Sequence, residues 1–350
     1  MGGRKAGSGK SGKANIFDVA KLAGVSIKTV SRVVNDEPNV QDKTRAKVLK
    51  AVAQLGYKPN ASARSLSGNK SYVIGLVYEN AREFSYMKNM LNGAINACEA
   101  VGYTLLLRPL TLPDPAAVDR IREFATSTGM DGIILPPPIC DFPGIEKVLA
   151  DANVETVLIA PKHDAPPTMT ILCNDEEASY EITNYVISLG HERIGFIKGH
   201  PDHSASDQRY DGYRRAIREQ GISFDRSLVR QGYFDFESGR KGARKLLELK
   251  DAPTAIIASN DDMAAGVLFE AHERNVTIPD DLSVVGFDNT PIAEHTWPPL
   301  TTVSQPIDEM ADKATRLLAS ALREPDAREV PETFACELVI RASTGTGKTR

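Results

Sequence analysis

A small all-α head joined to a two-lobed α/β body with parallel sheets is the fold class predicted by this 350-residue sequence. Three observations carry the prediction: a division of charge, a pair of short helices around a tight glycine turn near the start, and regular strand–helix alternation from residue 71 onward. Residues 1–70 hold 14 Lys/Arg and 4 Asp/Glu, a net of +10, whereas the remainder holds 28 and 42, a net of −14. A basic head on an acidic body implies a polyanionic partner for the head alone, because the body repels it. The composition, 41% hydrophobic and 25% charged, is that of an ordinary soluble globular protein. No stretch approaches the ~20 apolar residues of a membrane span, and the first 13 residues hold no apolar run to act as a signal peptide. Cys98, Cys140, Cys173 and Cys336 are far apart and form no CxxC pair, which fits buried thiols in a reducing cytosol. A cytoplasmic protein is expected.

The head starts at Asn15, an N-cap residue type, with Asp18 three positions later where the helix dipole favours an acid. Ile16, Val19, Ala20 and Ala23 follow at i, i+3, i+4 and i+7, the stripe of an amphipathic helix, and Gly24 ends it. Ser26 can cap a second helix running to about Val34. Two short helices joined so tightly form a helix-turn-helix. On the second helix, Val30, Val33 and Val34 make a buried stripe, while Lys28, Arg32 and Asn35 project from the opposite side at ~100° per residue. Arg and Lys can read guanine and Asn adenine in a major groove ~12 Å wide. The alternative is an ordinary solvated polar face. A third helix over 42–55, with Val48, Val52 and Leu55, closes the core.

Pro59 then breaks the chain, and the run from Asn60 to Leu66 is too short for a helix that is stable alone. It is either a flexible linker whose Leu66 docks on the body or a hinge that folds on DNA with Leu66 as a minor-groove wedge.

From residue 71, apolar runs at 72–78, 103–107, 132–135, 156–160, 193–198, 255–259 and 283–287 alternate with helical runs, which implies parallel sheets in two lobes. Ligands of such sheets bind beyond the carboxyl ends of the strands. The residues there include Glu79-Asn80, Pro136-Pro137-Pro138, Phe234, Asn260-Asp261 and Asp288-Asn289, and Arg209 near a helix start adds a cation. Carboxylates and amides engage hydroxyls while an aromatic face covers the apolar side of a sugar ring. Asn260 and Asp261 could equally be helix caps.

The head resembles the lactose-repressor (LacI/GalR) family of transcription regulators. The resemblance rests on Asn15-Ile16 with Asp18-Val19-Ala20, on Ala23-Gly24-Val25-Ser26, and on Thr29-Val30-Ser31-Arg32-Val33-Val34-Asn35. It continues through Gly56-Tyr57-Lys58-Pro59-Asn60 and Ala63-Arg64-Ser65-Leu66, with Gln41 departing where a Ser cap is common. The resemblance implies that Ile27, Lys28 and Arg32 meet base edges, with Thr29, Ser31 and Asn35 in the same DNA-binding set. It also implies that Leu66, beside Ala63, wedges into the minor groove. In the body, Ala258-Ser259-Asn260-Asp261, Val284-Val285-Gly286-Phe287-Asp288 and Pro299-Leu300-Thr301-Thr302-Val303 resemble the same family's effector domain. That likeness implies a periplasmic-binding-protein-like body with three crossings between lobes. It also implies an effector held by Arg209, Asn260 and Asp288 against Phe234; the residue mixture at the strand ends makes a sugar or glycoside the expected effector, with Glu79 and Tyr86 in the same effector-binding set. Pro136 and Ala160 stand where the family often has polar residues, so no relative's sugar transfers directly.

The segment Ala342 to Thr349 fits a loose phosphate-loop pattern, but no helix follows it within the sequence. Gly9-Lys10-Ser11 lies in a basic arm. His200 and His203 have no carboxylate or thiol in clear ligand register. No GxGxxG follows a strand, so no enzyme is expected, and a periplasmic sugar-binding protein would lack the basic head. The expected plan is a disordered arm at 1–14, a DNA-binding domain at 15–58, a hinge at 59–70, an effector and dimerisation domain at 71–343, and a flexible tail at 344–350. The whole is expected to be a bacterial repressor without cofactor or metal, a homodimer on a palindromic double-stranded operator and nucleoid-associated when bound.

Overall fold

The computed structural model describes residues 14–34, 40–57, 70–79, 85–162, 169–324 and 332–347. Its contacts divide the chain into one unit ending at Tyr72 and a second beginning at Val73.

The first unit is a three-helix head. Helix α1 (Ile16–Ala23) opens with a capping box: the Phe17 and Asp18 amides donate to Asn15 Oδ1 at 2.9 and 3.2 Å, and the Asn15 amide donates to Asp18 Oδ2 at 2.9 Å. Such a cap contributes ~1 kcal/mol, a large share for a helix of eight residues. Gly24 ends the helix with φ 65°, the left-handed conformation a side chain would resist. Helix α2 (Ile27–Val34) begins where Ser26 Oγ accepts the Thr29 amide at 3.1 Å. Helix α3 (Asp42–Leu55) starts at Gln41 without a side-chain cap, consistent with the departure seen there in the sequence. Val19, Ala20, Val30, Val33, Val48 and Ala51 form the buried core.

The second unit has two lobes. In chain order the first lobe contains β1 (Val73–Glu79), α4 (Ser85–Val101), β2 (Thr104–Leu110), α5 (Ala117–Thr128), β3 (Gly132–Leu135), α6 (Ile145–Asp151), β4 (Glu155–Ile159) and β5 (Met169–Cys173). The chain then enters the second lobe through α7 (Asp175–Ser188), β6 (Ile194–Lys198), α8 (Ser204–Glu219), β7 (Val229–Gln231) and α9 (Phe236–Leu247). That lobe continues with β8 (Ala255–Ala258), α10 (Asp261–Glu273), β9 (Ser283–Val285), α11 (Pro291–His295) and β10 (Thr302–Ser304). Helix α12 (Ile307–Arg323) and β11 (Glu332–Phe334) return to the first lobe, and β12 (Glu337–Val339) pairs with β10. The chain therefore crosses three times, as the resemblance implies.

The first sheet has the order β11-β5-β4-β3-β1-β2 and the second β7-β6-β8-β9; every pair within them is parallel, and among the described residues only β10-β12 is antiparallel. Fully buried runs such as β3 and β8 lack polar alternation because helices cover both faces. Close helix packing is set by small residues. A methyl at Gly239 on α9 would overlap the Met263 backbone, and one at Gly266 on α10 would overlap the Phe236 carbonyl. Glu270 of α10 accepts from Nε of Arg240, Arg244 and Arg274 at 3.1, 2.9 and 2.9 Å, which ties the same helix pair together.

Residues 344–347, read from the sequence as part of a flexible tail, are bound to the second lobe. The Gly345 amide donates to Ser283 Oγ at 3.0 Å and the Gly347 amide donates to Leu189 O at 2.7 Å. Glycine permits this approach, since a methyl at Gly347 would sit 2.5 Å from Gly190 O. Two of the amides that a phosphate loop would offer are thus engaged by the body, and residues 348–350 lie outside the described residues. So do Asn35, Ala63 and Leu66, with the whole proposed hinge wedge.

Candidate functional site

Helix α2 presents its polar side away from the head core. Val30 and Val33 are buried, whereas Lys28 and Arg32 are exposed and Ile27 is 41% exposed. Thr29 is half-buried, its hydroxyl 2.8 Å from Ser26 Oγ, so it serves the turn; Ser31 is also half-buried. The exposed side therefore carries Ile27, Lys28 and Arg32, the three residues that the resemblance assigns to base edges.

The second constellation lies in the body, where the strand ends of the two lobes approach. Arg209, on α8, is 4% exposed and is anchored through Nε and Nη1. Its Nε donates to Asp175 Oδ1 at 2.7 Å, its Nη1 donates to Ser259 O, and Nη1 lies 3.4 Å from Asp288 Oδ1. The guanidinium sits 3.7 Å from the Phe287 ring centroid and 5.7 Å from that of Phe234. Burial opposes its charge, but Asp175 and Asp288 more than offset this and hold its pKa above the ordinary arginine value.

Asp288 has φ 108° and Asn289 φ 51°, both in the region that favours glycine. The Asp288 amide donates to Val303 O at 2.8 Å, and Gln305 Nε2 donates to Asp288 Oδ1 at 2.6 Å, so neighbouring segments hold this strained turn. Burial raises the Asp288 pKa to about 7 against the pull of Arg209, with Asp261 and Asp175 adding repulsion. Asp261, likewise about 7 through burial, accepts from Thr302 Oγ1 at 2.6 Å and from the Thr290 amide and hydroxyl at 2.7 and 3.1 Å. Its oxygen also explains Gly286, where a methyl would overlap Asp261 Oδ1.

Among the described residues neither Arg209 Nη2 nor Asp288 Oδ2 has a hydrogen-bond partner. A donor on Arg209 and an acceptor on Asp288, residues whose Nη1 and Oδ1 lie 3.4 Å apart, can take two hydroxyls.

Phe234 (φ 62°) spans Gly199, where a methyl would overlap its ring. Its carbonyl accepts Asn260 Nδ2 at 2.9 Å, while Asn260 Oδ1 accepts the Met263 amide at 2.9 Å. Asn260 is thus a helix cap that also positions Phe234, the cap role the sequence had left open. Tyr86, from α4 of the first lobe, is held above the usual phenol range by burial and then by Asp288, Asp175 and Cys173, which puts it beside the Arg209 cluster. Glu79 Oε2 lies 3.6 Å from His203 Nε2 across the lobes, and Ser204 Oγ donates to Ala160 O at 3.0 Å. At Ala160 the contribution is a carbonyl, which needs no polar side chain; Pro136 is buried. His203 packs 5.3 Å from both Phe234 and His200, and His200 packs edge-on to Tyr233 at 5.6 Å. Burial lowers the His200 pKa, then the charge of His203 adds to it.

Sequence reasoning missed Asp175, Gln305, His203 and Tyr233 as members of this site. Asp175 and Gln305 follow β5 and β10, strands absent from the apolar runs, so the rule about strand ends was never applied to them. Among the described residues no group of three His, Cys, Asp or Glu side chains could hold a metal, the two histidines included. No helix among them is long and apolar enough to cross a membrane.

A helix-turn-helix head on a two-lobed parallel α/β body defines a DNA-binding regulator with a ligand-binding domain. Residues 15–60 match the family "Bacterial regulatory proteins, lacI family", and residues 183–344 match a "Periplasmic binding protein-like domain". The chain is 35% identical to the HTH-type transcriptional regulator DegA of Bacillus subtilis (strain 168), over 95% of its own length and 98% of DegA. It is 33% identical to the HTH-type transcriptional repressor PurR of Vibrio atlanticus (strain LGP32), over 95% and 99% of the two chains. Among solved structures, a Lac repressor dimer bound to operator and the anti-inducer ONPF superposes with TM-score 0.75 and 26% identity, covering 95% of this chain and 100% of that one. A CelR–cellobiose complex gives 0.73 and 28%, covering 94% and 99%. The chain belongs to the LacI family of bacterial transcription regulators.

Proposed function

We propose that this regulator is a repressor, a homodimer on a palindromic operator whose affinity is set by a sugar or glycoside bound between the lobes of the body. The observation that carries the reading is the buried Arg209–Asp288 pair, which leaves Nη2 and Oδ2 available beneath Phe234 and beside Tyr86. Glu79 and His203 close one side of this space, and Asn260 acts through Phe234. Two structural neighbours support the same reading: CelR is in complex with cellobiose, and the Lac repressor is a dimer on operator. In this reading Ile27, Lys28 and Arg32 read bases, Ser31 and Asn35 complete the groove contacts, Thr29 orders the turn that presents them, and residues 59–70, with Ala63 and Leu66, fold as the hinge on DNA. A titration-calorimetry screen of mono- and disaccharides tests it. One sugar is expected to bind wild type and fail to bind Asp288→Ala, while the variant still shifts operator fragments in a gel. Binding of a purine instead, with Asp288 still required, would leave the regulator and overturn the sugar.

A further inference from the structure

The two thiols Cys173 and Cys336 have no part in that reading, yet they meet where the chain passes between the lobes. Cys173 ends β5 at the first crossing, and Cys336 lies between β11 and β12 at the third. Although 163 residues apart in sequence, their sulfurs are 3.1 Å from each other. The two segments run side by side: Phe334 pairs with Cys173, the Asn174 amide donates to Phe334 O at 3.2 Å, and the Cys336 amide donates to Asn174 Oδ1 at 2.7 Å. The second crossing joins them. Cys173 Sγ donates to Gln305 Oε1 at 3.7 Å, and the other end of that amide holds Asp288. One thiol pair therefore touches all three hinge strands and sits one side chain away from the candidate ligand site. Cys98 and Cys140 are instead buried in the first lobe, 2% and 5% exposed.

We propose that Cys173 and Cys336 form a reversible disulfide in response to a hydroperoxide, and that this bond locks the hinge between the lobes. Cys173 is partly exposed and Cys336 is 8% exposed, so a small oxidant reaches Cys173 first. The Cys173 thiolate attacks one peroxide oxygen; the O–O bond breaks, Cys173 becomes a sulfenic acid and an alcohol, or water from hydrogen peroxide, leaves. Cys336 sulfur then attacks the Cys173 sulfur. The S–S bond forms, the S–O bond breaks, and water departs with the Cys336 proton. Two electrons pass from the thiols to the peroxide oxygens, and a dithiol reverses the change by exchange. The hydrogen bond to Cys336 and burial keep the Cys173 thiol protonated at neutral pH, so the reaction is slow there and faster in alkali. Disulfides inside cells are mostly of this transient, sensing kind. Once the bond forms, the first and third crossings can no longer slide past each other, and Gln305 loses its thiol donor. The consequence for regulation rests on the proposed ligand site; the bond itself does not.

The test uses the reduced full-length chain exposed to hydrogen peroxide, with no effector required. Titratable thiols under denaturing conditions should fall from four by two, and a non-reducing peptide map should link the peptides containing Cys173 and Cys336. Dithiothreitol should restore the thiols. Cys98→Ser should show the same linkage, while Cys336→Ser should give none and leave Cys173 trappable by a sulfenic-acid reagent. Hydrogen exchange at residues 172–176, 303–307 and 334–338 should slow at least tenfold on oxidation. Retention of all thiols, or a bond through Cys98, Cys140 or a second chain, would overturn the site. The expected bond without slowed exchange would overturn the lock. Either failure leaves the sugar titration unaffected.

Discussion

Arg32 stands on the exposed side of α2 while Val33, its neighbour, fills the core, so truncating it changes the DNA surface while the buried core keeps its packing. Arg32→Ala should cost ~1–3 kcal/mol in operator binding and relax discrimination at one base pair. Competition gel shifts against single-base operator variants check this. An equal loss on specific and random DNA would make Arg32 a phosphate contact. Deeper in the molecule, Asp261 and Asp288 both titrate at about 7 in the fold against an ordinary 3.8. A carboxyl with a raised folded pKa binds its proton more readily in the native state. It imposes no penalty below pH 3.8 and a growing one as pH climbs towards 7. The body should therefore lose thermal stability between about pH 4 and pH 7, over and above the effect of its other groups. Asp288→Asn keeps an acceptor for Gln305 and should flatten that decline, as melting curves across the range would record. A decline unchanged by the substitution would mean that Asp288 does not titrate there.

Elements of the second lobe are held at fixed separations by glycines, and the candidate site inherits that precision. Helices α9 and α10 cross with Gly239 and Gly266 each against the other's backbone, and α10 begins with the Asn260 cap that holds Phe234. Gly266→Ala should therefore push the pair apart at ~1–3 kcal/mol or more, seen as a lower denaturation midpoint. Gly199→Ala should act differently, because the three atoms nearest the added methyl all belong to the side-chain ring of Phe234 and not to backbone. Ligand affinity should fall by about tenfold, ~1.4 kcal/mol, with the melting temperature nearly unchanged; an unfolded variant would contradict that account. These dependencies also explain what the sequence disclosed. The helices of the head were legible because caps, glycine stops and apolar spacing agree locally, as with Asn15, Gly24 and the stripe from Ile16 to Ala23. Strands β1, β2, β3, β4, β6, β8 and β9 were legible as apolar runs. Strands β7, β10, β11 and β12, three residues each and mixed in polarity, form no apolar run, so Gln305 remained hidden, and β5, with Asp175 beyond it, lies outside the runs. The encounter of Cys173 with Cys336 is a product of tertiary register alone. Local patterning carries no trace of it.

At the scale of the whole molecule, the charge division and the three crossings suit a device in which the head binds and the body decides. A basic head of net +10 on a body of net −14 confines polyanion attraction to residues 1–70. Under the proposed regulation the body acts on the head through its conformation and not through general electrostatics, which are screened over ~8 Å at physiological salt. The three crossings converge near Asp288 and Gln305, so a ligand that engages Asp288 acts on the hinge directly. If ligand and operator prefer different arrangements of the lobes, their binding is coupled, and that coupling is reciprocal. The factor by which a saturating sugar changes operator affinity should equal the factor by which saturating operator changes sugar affinity, roughly 5–150-fold for a coupling of ~1–3 kcal/mol. Calorimetric titration of the sugar with and without operator, set beside gel shifts with and without the sugar, measures both factors. Asp288→Asn should reduce both together, because it weakens the ligand's grip on the hinge without altering Arg32 or Lys28. A sugar that binds with the same affinity in the presence and absence of operator would be a passenger, and the proposed regulation through the lobes would fall with it.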